Sequence, residues 1–301
     1  MLCTTILLGA IYTYDQLSER QQHKFPLLAS RLFQDKAAFN DVNFQPLRSQ
    51  VKSYLANTHV DHSFYFEYLF TGSTIRDGDS NQLVGASLMK IPIVMDLYKA
   101  VEENKVSLDK QVTVPDNIIN SNDSQYGNVS HLKSGDKIKL GDAAKIALSE
   151  SDNTAAYTIF NATQGMLPSQ DQSLNNLDIE TQSGDSSKGP LVLISSRSYS
   201  SILQCLYFSC FLNEKDSQSI LNYLTMDSTD NTRIRAGVPN NVQVARKLGS
   251  FGNITQSDCG IVYVPNKDYL LCVLMNENGQ SADHHIKDLS AMVYKYVNGL
   301  N

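Results

Sequence analysis

The sequence predicts an α/β chain of the α+β kind: an antiparallel sheet flanked by helices, with an all-α lobe beside it. Three observations predict it. Strand-like runs fall near both ends of the chain, at 63–71 and at 242–275, and helical patterns fill the space between them. A sheet assembled from the two ends, with the helices set to one side, satisfies that order. One helical run, from Ser87 to Val101, is apolar almost all round (Leu88, Met89, Ile91, Ile93, Val94, Met95, Leu97). Such a helix belongs in the middle of a protein.

The elements follow in order. Pro46 to Asn57 carries Leu47, Val51 and Leu55 at helical spacing. Ser63 to Thr71 is rich in aromatics and reads as a strand. Arg76-Asp77-Gly78-Asp79 is a turn, followed by a short strand near Gln82 to Val84. After the apolar helix, in whose first turns Pro92 is tolerated, helices are expected at Leu140–Leu148, Thr154–Phe160, Ser196–Leu212 and Ser217–Leu224. Residues 165–190 are rich in Ser, Gln, Asn, Asp and Gly and read as a long surface loop. Val242–Leu248, Gly260–Val264 and Tyr269–Met275 read as three strands joined by short turns. A last helix carries Ile286, Leu289, Val293 and Val297 on one face.

Composition narrows the function. The chain has 301 residues, 42% hydrophobic and 19% charged, enough for one large domain or two lobes around a sizeable core. A formal net charge of −6 without a basic run argues against nucleic-acid binding. The six histidines lack metal spacing, and His284-His285 reads as solvated helix surface; no metal or cofactor is expected. Five cysteines form no evident pairs. Cys205 and Cys210 point to different faces of a helix, and a tight turn at Pro265–Asp268 would set Ile261, not Cys259, opposite Cys272, so buried free thiols are expected. Residues 1–14 are apolar but too short to span a bilayer. They read either as the remnant of an export signal or membrane anchor or as an ordinary N-terminal segment packed on the domain; export to the periplasm or cell exterior is expected, mainly from the chemistry of the motifs further along the chain. Residues 15–45 read as a stalk or peripheral segment.

Chemistry enters with three motifs in order: Ser87-Leu88-Met89-Lys90, Ser151-Asp152-Asn153 and Lys247-Leu248-Gly249. Ser-x-x-Lys alone means little, since it also occurs at Ser49, Ser107, Ser130 and Ser134. Among the five, only Lys90 is embedded in apolar sequence, where an unpaired lysine is costly without a role. Three residues along a helix, it reaches the Ser87 hydroxyl. Burial, and a second cation such as Lys247, lower its pKa and make it a base for the serine. Ser87 also opens its helix, where backbone N–H groups favour negative charge. Ser151 or Asp152 fits a helix N-cap, and the serine is placed to relay a proton. Lys133-Ser134-Gly135 is a rival for the third motif, but it precedes Ser151 and sits in a polar turn. Lys247 ends an alternating strand, where the following glycine admits substrate to the backbone.

These residues resemble those of class A β-lactamases and related penicillin-binding serine enzymes. The resemblance runs from about Leu47 to the C-terminus and includes Gly85–Pro92, His131–Asp136, Ser151–Ala156, Arg233–Pro239 and Asp258–Tyr263. It implies a β-lactamase/transpeptidase-like fold: a catalytic domain over 46–301, with an α/β lobe from 46–86 and 232–301 and a helical lobe from 87–231, the site lying between them. It implies that Ser87 is acylated, that Lys90 is its base, that Ser151 protonates the leaving nitrogen, and that Lys247 supplies positive charge. Asn153 would bind the substrate's side-chain amide, and Gly249 would lie along the substrate. The backbone N–H groups of Ser87 and Ser250 would form the oxyanion hole. Arg233 resembles an arginine that helps anchor the substrate carboxylate in some members, against the alternative of a plain surface arginine.

Two departures bear on turnover. Leu248 stands where the family has Thr or Ser, which removes a hydroxyl from the carboxylate site. The family's Glu-x-x-Leu-Asn loop, which holds the glutamate that activates the deacylating water, has no counterpart; between Asn153 and Arg233 the glutamates are Glu180 and Glu214. The expected partner is a small-molecule β-lactam, acylating Ser87 and hydrolysed slowly. The alternatives are a D-alanyl-D-alanine peptidase acting on a cell-wall peptide, or a non-catalytic wall-peptide-binding relative.

Overall fold

The computed structural model describes residues 42–116, 130, 132–168, 171–186, 189–226 and 231–300. The apolar leader at 1–14 and most of the expected stalk lie outside the described residues. Helix α1 (Gln45–Thr58) places proline in its first turn and buries Leu47, Val51 and Leu55, the spacing read from the sequence. The hairpin β1 (His62–Tyr68) and β2 (Ser73–Asp77) follows, then the short β3 (Leu83–Val84). A 3-10 turn (Ala86–Met89) leads into α2 (Lys90–Glu102). β4 (Gln111–Thr113) and β5 (Lys137–Lys139) form a small ribbon before α3 (Leu140–Ser149) and α4 (Asn153–Thr163).

The stretch 165–190 is not the plain surface loop that its polar composition suggests. It holds α5 (Gln172–Asn176) and β6 (Thr181–Ser186), and β6 pairs with β7 (Gly189–Ile194). Two contacts give this polar segment a place in the fold. Asp96 of α2 accepts from the Ser173 backbone N–H at 2.7 Å, and β7 pairs with β3, Leu83 opposite Ile194. Helices α6 (Ser196–Phe208), α7 (Glu214–Thr225) and the single turn α8 (Arg233–Ala236) complete the middle of the chain. Strands β8 (Gln243–Phe251), β9 (Thr255–Tyr263) and β10 (Tyr269–Met275) and helix α9 (Gly279–Asn298) close it.

The main sheet has the order β2-β1-β10-β9-β8, antiparallel throughout. The two ends of the chain therefore meet at the β1–β10 pair, as the strand order demands. Period-two alternation sends its residues to two cores. Phe64, Phe66, Leu271 and Val273 pack with α1 and with Ile286, Leu289, Val293 and Val297 of α9. Ala245, Ile261, Leu270 and Leu274 face the other way, into the helical core around α2. Both sheet faces are covered, so β1, β9 and β10 are buried along nearly their whole length. The sheet's edges are β2 and β8, and the position of β8 beside the helical core makes the site.

Four cysteines depart from the expected free thiols. Cys205 and Cys210 are disulfide-bonded, as are Cys259 and Cys272. Helix α6 stops at Phe208; Ser209 turns left-handed, and the Cys210 N–H comes back to the Cys205 carbonyl at 3.0 Å. Helical spacing therefore does not apply to that pair. The β9–β10 connection is longer than a tight turn, Tyr269 pairs with Val262, and the register shifts by two residues to set Cys259 opposite Cys272. The histidine pair also divides: His284 is exposed, whereas His285 is hydrogen-bonded to the Tyr54 hydroxyl.

Candidate active site

The Ser87 turn is held from four sides. The Gly85 N–H donates to the Val192 carbonyl of β7, and the Leu88 N–H returns to the Gly85 carbonyl. The Tyr199 hydroxyl of α6 donates to the Leu88 carbonyl at 2.9 Å. The fourth side is Gly249 of β8: a β-carbon there would fall 3.1 Å from the Gly85 oxygen and 3.2 Å from Leu88 Cγ. Ala86 takes a left-handed conformation, with φ of 45°. Conformations of this kind persist only where the surroundings impose them, and they gather at functional sites. Ser87 thus sits in the tightened entry to α2 rather than at the first α-helical residue.

Lys90, one turn on, places its Nζ 2.6 Å from Ser87 Oγ and 3.3 Å from Ser151 Oγ. Its side chain is 5% exposed. Burial first, and the positive charge of Lys247 second, hold the amine well below the ordinary lysine value, with Asp152 pulling the other way. A lowered pKa makes the amine easier to deprotonate, which suits it to act as a base towards the serine hydroxyl.

Ser151 reaches Lys90 because of local backbone geometry. Its φ is 57°, and the next residue, Asp152, caps α4 by accepting from the Ala155 N–H at 2.7 Å. The capping role therefore falls to Asp152, which leaves the Ser151 hydroxyl available to Lys90. Asn153, the first residue of α4, lines the cleft beside Ser87.

Across the cleft stands β8. Lys247 is 3% exposed on the face directed at the helical lobe. The strand runs on beyond it to Phe251, so Lys247 does not end it. Gly249 is buried, and its lack of a side chain has a packing cause: a β-carbon would lie 2.3 Å from Ser257 Oγ, besides its approach to Gly85 and Leu88. The glycine lets the strand close on the Ser87 turn. Leu248 alternates to the other face from Lys247 and Gly249, and Ser250, at the end of the strand, lines the cleft.

Arg233 is buried, so the reading of a plain surface arginine is excluded. Its Nη1 donates to the carbonyls of Gly249 (2.9 Å) and Ser257 (2.7 Å). Nη2 donates to Ser250 Oγ (3.0 Å) and Gln256 Oε1 (2.8 Å), and Nε pairs with Asp283. The five donors of the guanidinium thus have five protein partners. Arg233 braces the β8–β9 hairpin and places positive charge directly behind the Ser250 hydroxyl.

The rival motif lies elsewhere: Lys133, Ser134 and Gly135 are exposed in a turn, with Ser134 bonded to Asp116. Glu180 is exposed just before β6, and Glu214 opens α7. Among the described residues, no aspartate or glutamate lines the cleft. Its far wall includes Leu191 and Val192 of β7, which sequence reasoning missed; the polar neighbours at 181–188 hid an apolar partner strand. Tyr199, Gln256 and Asp283 were missed too, because they act through hydrogen bonds between elements remote in sequence. Among the described residues, no cluster of His, Cys, Asp and Glu could hold a metal ion.

Comparison with known proteins agrees with this architecture. A sequence comparison with curated proteins finds no match. Among solved structures, PBP-A is 23% identical with a TM-score of 0.75, over 85% of this chain and 97% of that one. An ancestral class A β-lactamase is 20% identical, with a TM-score of 0.70 over 83% and 99% of the two chains. A β-lactamase from Chitinophaga pinensis is 18% identical, with a TM-score of 0.74 over 84% and 100%. At these identities the likeness is one of fold. The sequence itself carries the assignment further: the pattern of the β-lactamase enzyme family matches residues 46–297, which takes in all three motifs, and the chain belongs to that family.

Proposed function

We propose that the protein is an active-site serine hydrolase in which a β-lactam amide acylates Ser87 and the acyl-enzyme turns over slowly. The observation that carries this reading is the buried Lys90 amine 2.6 Å from Ser87 Oγ, with Ser151 Oγ on its other side at 3.3 Å. Lys90 takes the Ser87 proton as Oγ attacks the lactam carbonyl carbon. The resulting oxyanion is received by the backbone N–H groups of Ser87 and Ser250. The proton then passes from Lys90 through Ser151 to the lactam nitrogen as the C–N bond breaks, leaving the ester on Ser87. Asn153 holds the side-chain amide, and Lys247 keeps the site positive.

The carboxylate anchor lost at Leu248 is replaced from behind. Arg233 donates to Ser250 Oγ, which leaves the hydroxyl proton free to be donated to a substrate carboxylate. Deacylation is the weak half, since among the described residues no carboxylate lines the cleft to activate water once Lys90 has served acylation. In support, a structure similar to this chain, a point mutant of PBP-A, holds penicillin G as an acyl-enzyme. Export to the periplasm or cell exterior, where β-lactams and wall peptides are met, accompanies the proposal.

Incubation with a fluorescent penicillin, followed by intact mass spectrometry over time, tests it. A single adduct that persists for many minutes is expected, and Ser87→Ala abolishes it. An adduct surviving Ser87→Ala overturns the nucleophile assignment; rapid steady-state hydrolysis of a chromogenic cephalosporin overturns slow deacylation.

A further inference from the structure

The cleft does not stop at the catalytic groups. Ser87, Lys90 and Ile93 share one face of α2 and its entry turn, and Asn153, Ala156, Tyr157 and Phe160 share one face of α4. From Asn153 to Phe160 the α4 face runs about 10 Å along the helix. Leu191 and Val192 of β7 partly cover the resulting groove, which is open to solvent on one side and holds about 300 Å³. Its groups are sorted by position. Ser87, Lys90, Asn153 and Ser250 lie at the catalytic end, with Val192 beside the Ser87 turn through its bond to Gly85, and Ile93, Ala156, Tyr157, Phe160 and Leu191 line the rest, apolar but for the Tyr157 hydroxyl. A pocket with few polar groups at one end and an apolar remainder fixes a ligand by its polar head and takes up its apolar tail.

We infer that the groove is a specificity channel for an extended hydrocarbon or aryl-alkyl acylamino side chain on the substrate. This rests on the reading of Ser87 as the acylated residue. With the substrate amide at Asn153, the first residue of the α4 face, the chain beyond the amide follows Ala156 and Phe160 between the two helices. The preferred substrates are therefore N-acyl compounds with long apolar acyl groups. Short or charged acyl groups leave the groove wet and gain nothing from it.

The test is a series of 6-acylaminopenicillanic acids from acetyl through butanoyl, hexanoyl and octanoyl to decanoyl. The second-order rate of Ser87 acylation is read by intact mass spectrometry. Each methylene that enters the groove is expected to raise that rate about fourfold, which is about 0.8 kcal/mol per buried CH₂. In Ala156→Phe, which plugs the groove, the octanoyl-to-acetyl ratio should collapse towards unity. Val192→Asp, at a site 41% exposed and so tolerant of substitution, should lower the same ratio by placing a charge in the cover. Circular dichroism verifies that each variant is folded. A rate independent of chain length, with the acetyl compound still labelling Ser87, overturns the channel and leaves the hydrolase reading standing. A rising series that neither variant flattens also overturns the channel, since the chain then lies elsewhere. No adduct from any member overturns both.

Discussion

Replacing Gly249 by alanine is expected to damage stability and acylation together, because this residue joins the sheet to the Ser87 turn. The added β-carbon would sit 2.3 Å from Ser257 Oγ, and ordinary contact begins near 3.4 Å, so about 1 Å must be found. It cannot be found on the opposite side, where the Gly85 oxygen and Leu88 Cγ already lie at 3.1 and 3.2 Å. Overpacking of this kind costs about 1–3 kcal/mol. Taking about 2 kcal/mol, a chain of 301 residues loses about 3 °C in Tm. The relief is a movement of β8 away from the turn that carries Ser87. Misplacement by about 1 Å costs about 10²-fold in rate, and the pseudo-first-order acylation of G249A by penicillin should fall by about that amount. Differential scanning fluorimetry and stopped-flow labelling measure the two effects. A double-mutant cycle with Ser257→Gly isolates the contact: removing the serine side chain should restore about 0.5–3 kcal/mol in the alanine background. A G249A protein that melts within about 1 °C of wild type and acylates within about twofold would refute the argument.

Other consequences follow from the same geometry. Acylation by wild type should rise with pH through the depressed Lys90 pKa and then level off, whereas Lys90→Met loses about 10²–10⁴-fold and the pH step with it. The sign for stability is fixed by protons: between the lowered folded pKa and the ordinary one, unfolded Lys90 holds a proton that the folded residue does not, so folding is penalised increasingly as pH falls from about 10 towards the folded pKa. The Tm advantage of Lys90→Met over wild type should therefore grow as pH falls below about 10. Asp96, raised by burial to about 7, holds a proton that the unfolded chain gives up above about 4; its contribution is lost as pH rises through 7. Asp96→Asn should raise Tm at pH 8 by more than at pH 4. Asp258→Ala strands Arg246, which it now holds at 2.8 Å with both side chains buried, and should cost about 3–5 kcal/mol in urea unfolding.

Much of this was legible because the informative residues act locally. Leu47, Val51 and Leu55, or Ile286 through Val297, write their buried face at helical spacing, and the apolar run after Ser87 announces a central helix. Ser87 and Lys90 meet because three residues make nearly one helical turn, and that contact needs no tertiary information. The cysteine pairings depend on a helix end and a loop length, which composition does not encode. Hairpin β6–β7 was hidden for another reason: its polar strand reads as a loop until its neighbour and β3 are seen beside it. Arg233 is the hardest case. Its role comes from five acceptors on three separate stretches of chain, and a lone arginine gives no hint of them.

The placement of these groups gives a physical reason to treat the two halves of the reaction separately. The groups proposed to form an acyl-enzyme come from three places: the turn before α2, the start of α4 and the edge strand β8. Gly249 closes β8 on the Ser87 turn, Tyr199 holds that turn from α6, and Asp152 caps α4. Removal of the acyl group asks for something different, a polar site that holds and deprotonates water. The segment between α4 and α6 contributes Leu191 and Val192 to the cleft instead. An apolar wall excludes water and welcomes a hydrocarbon. The same side chains that enlarge the groove for an acyl tail thus work against hydrolysis of the ester beside it. On the proposed mechanism, affinity for the acyl group and persistence of the acyl-enzyme would share one cause, the apolar wall at β7.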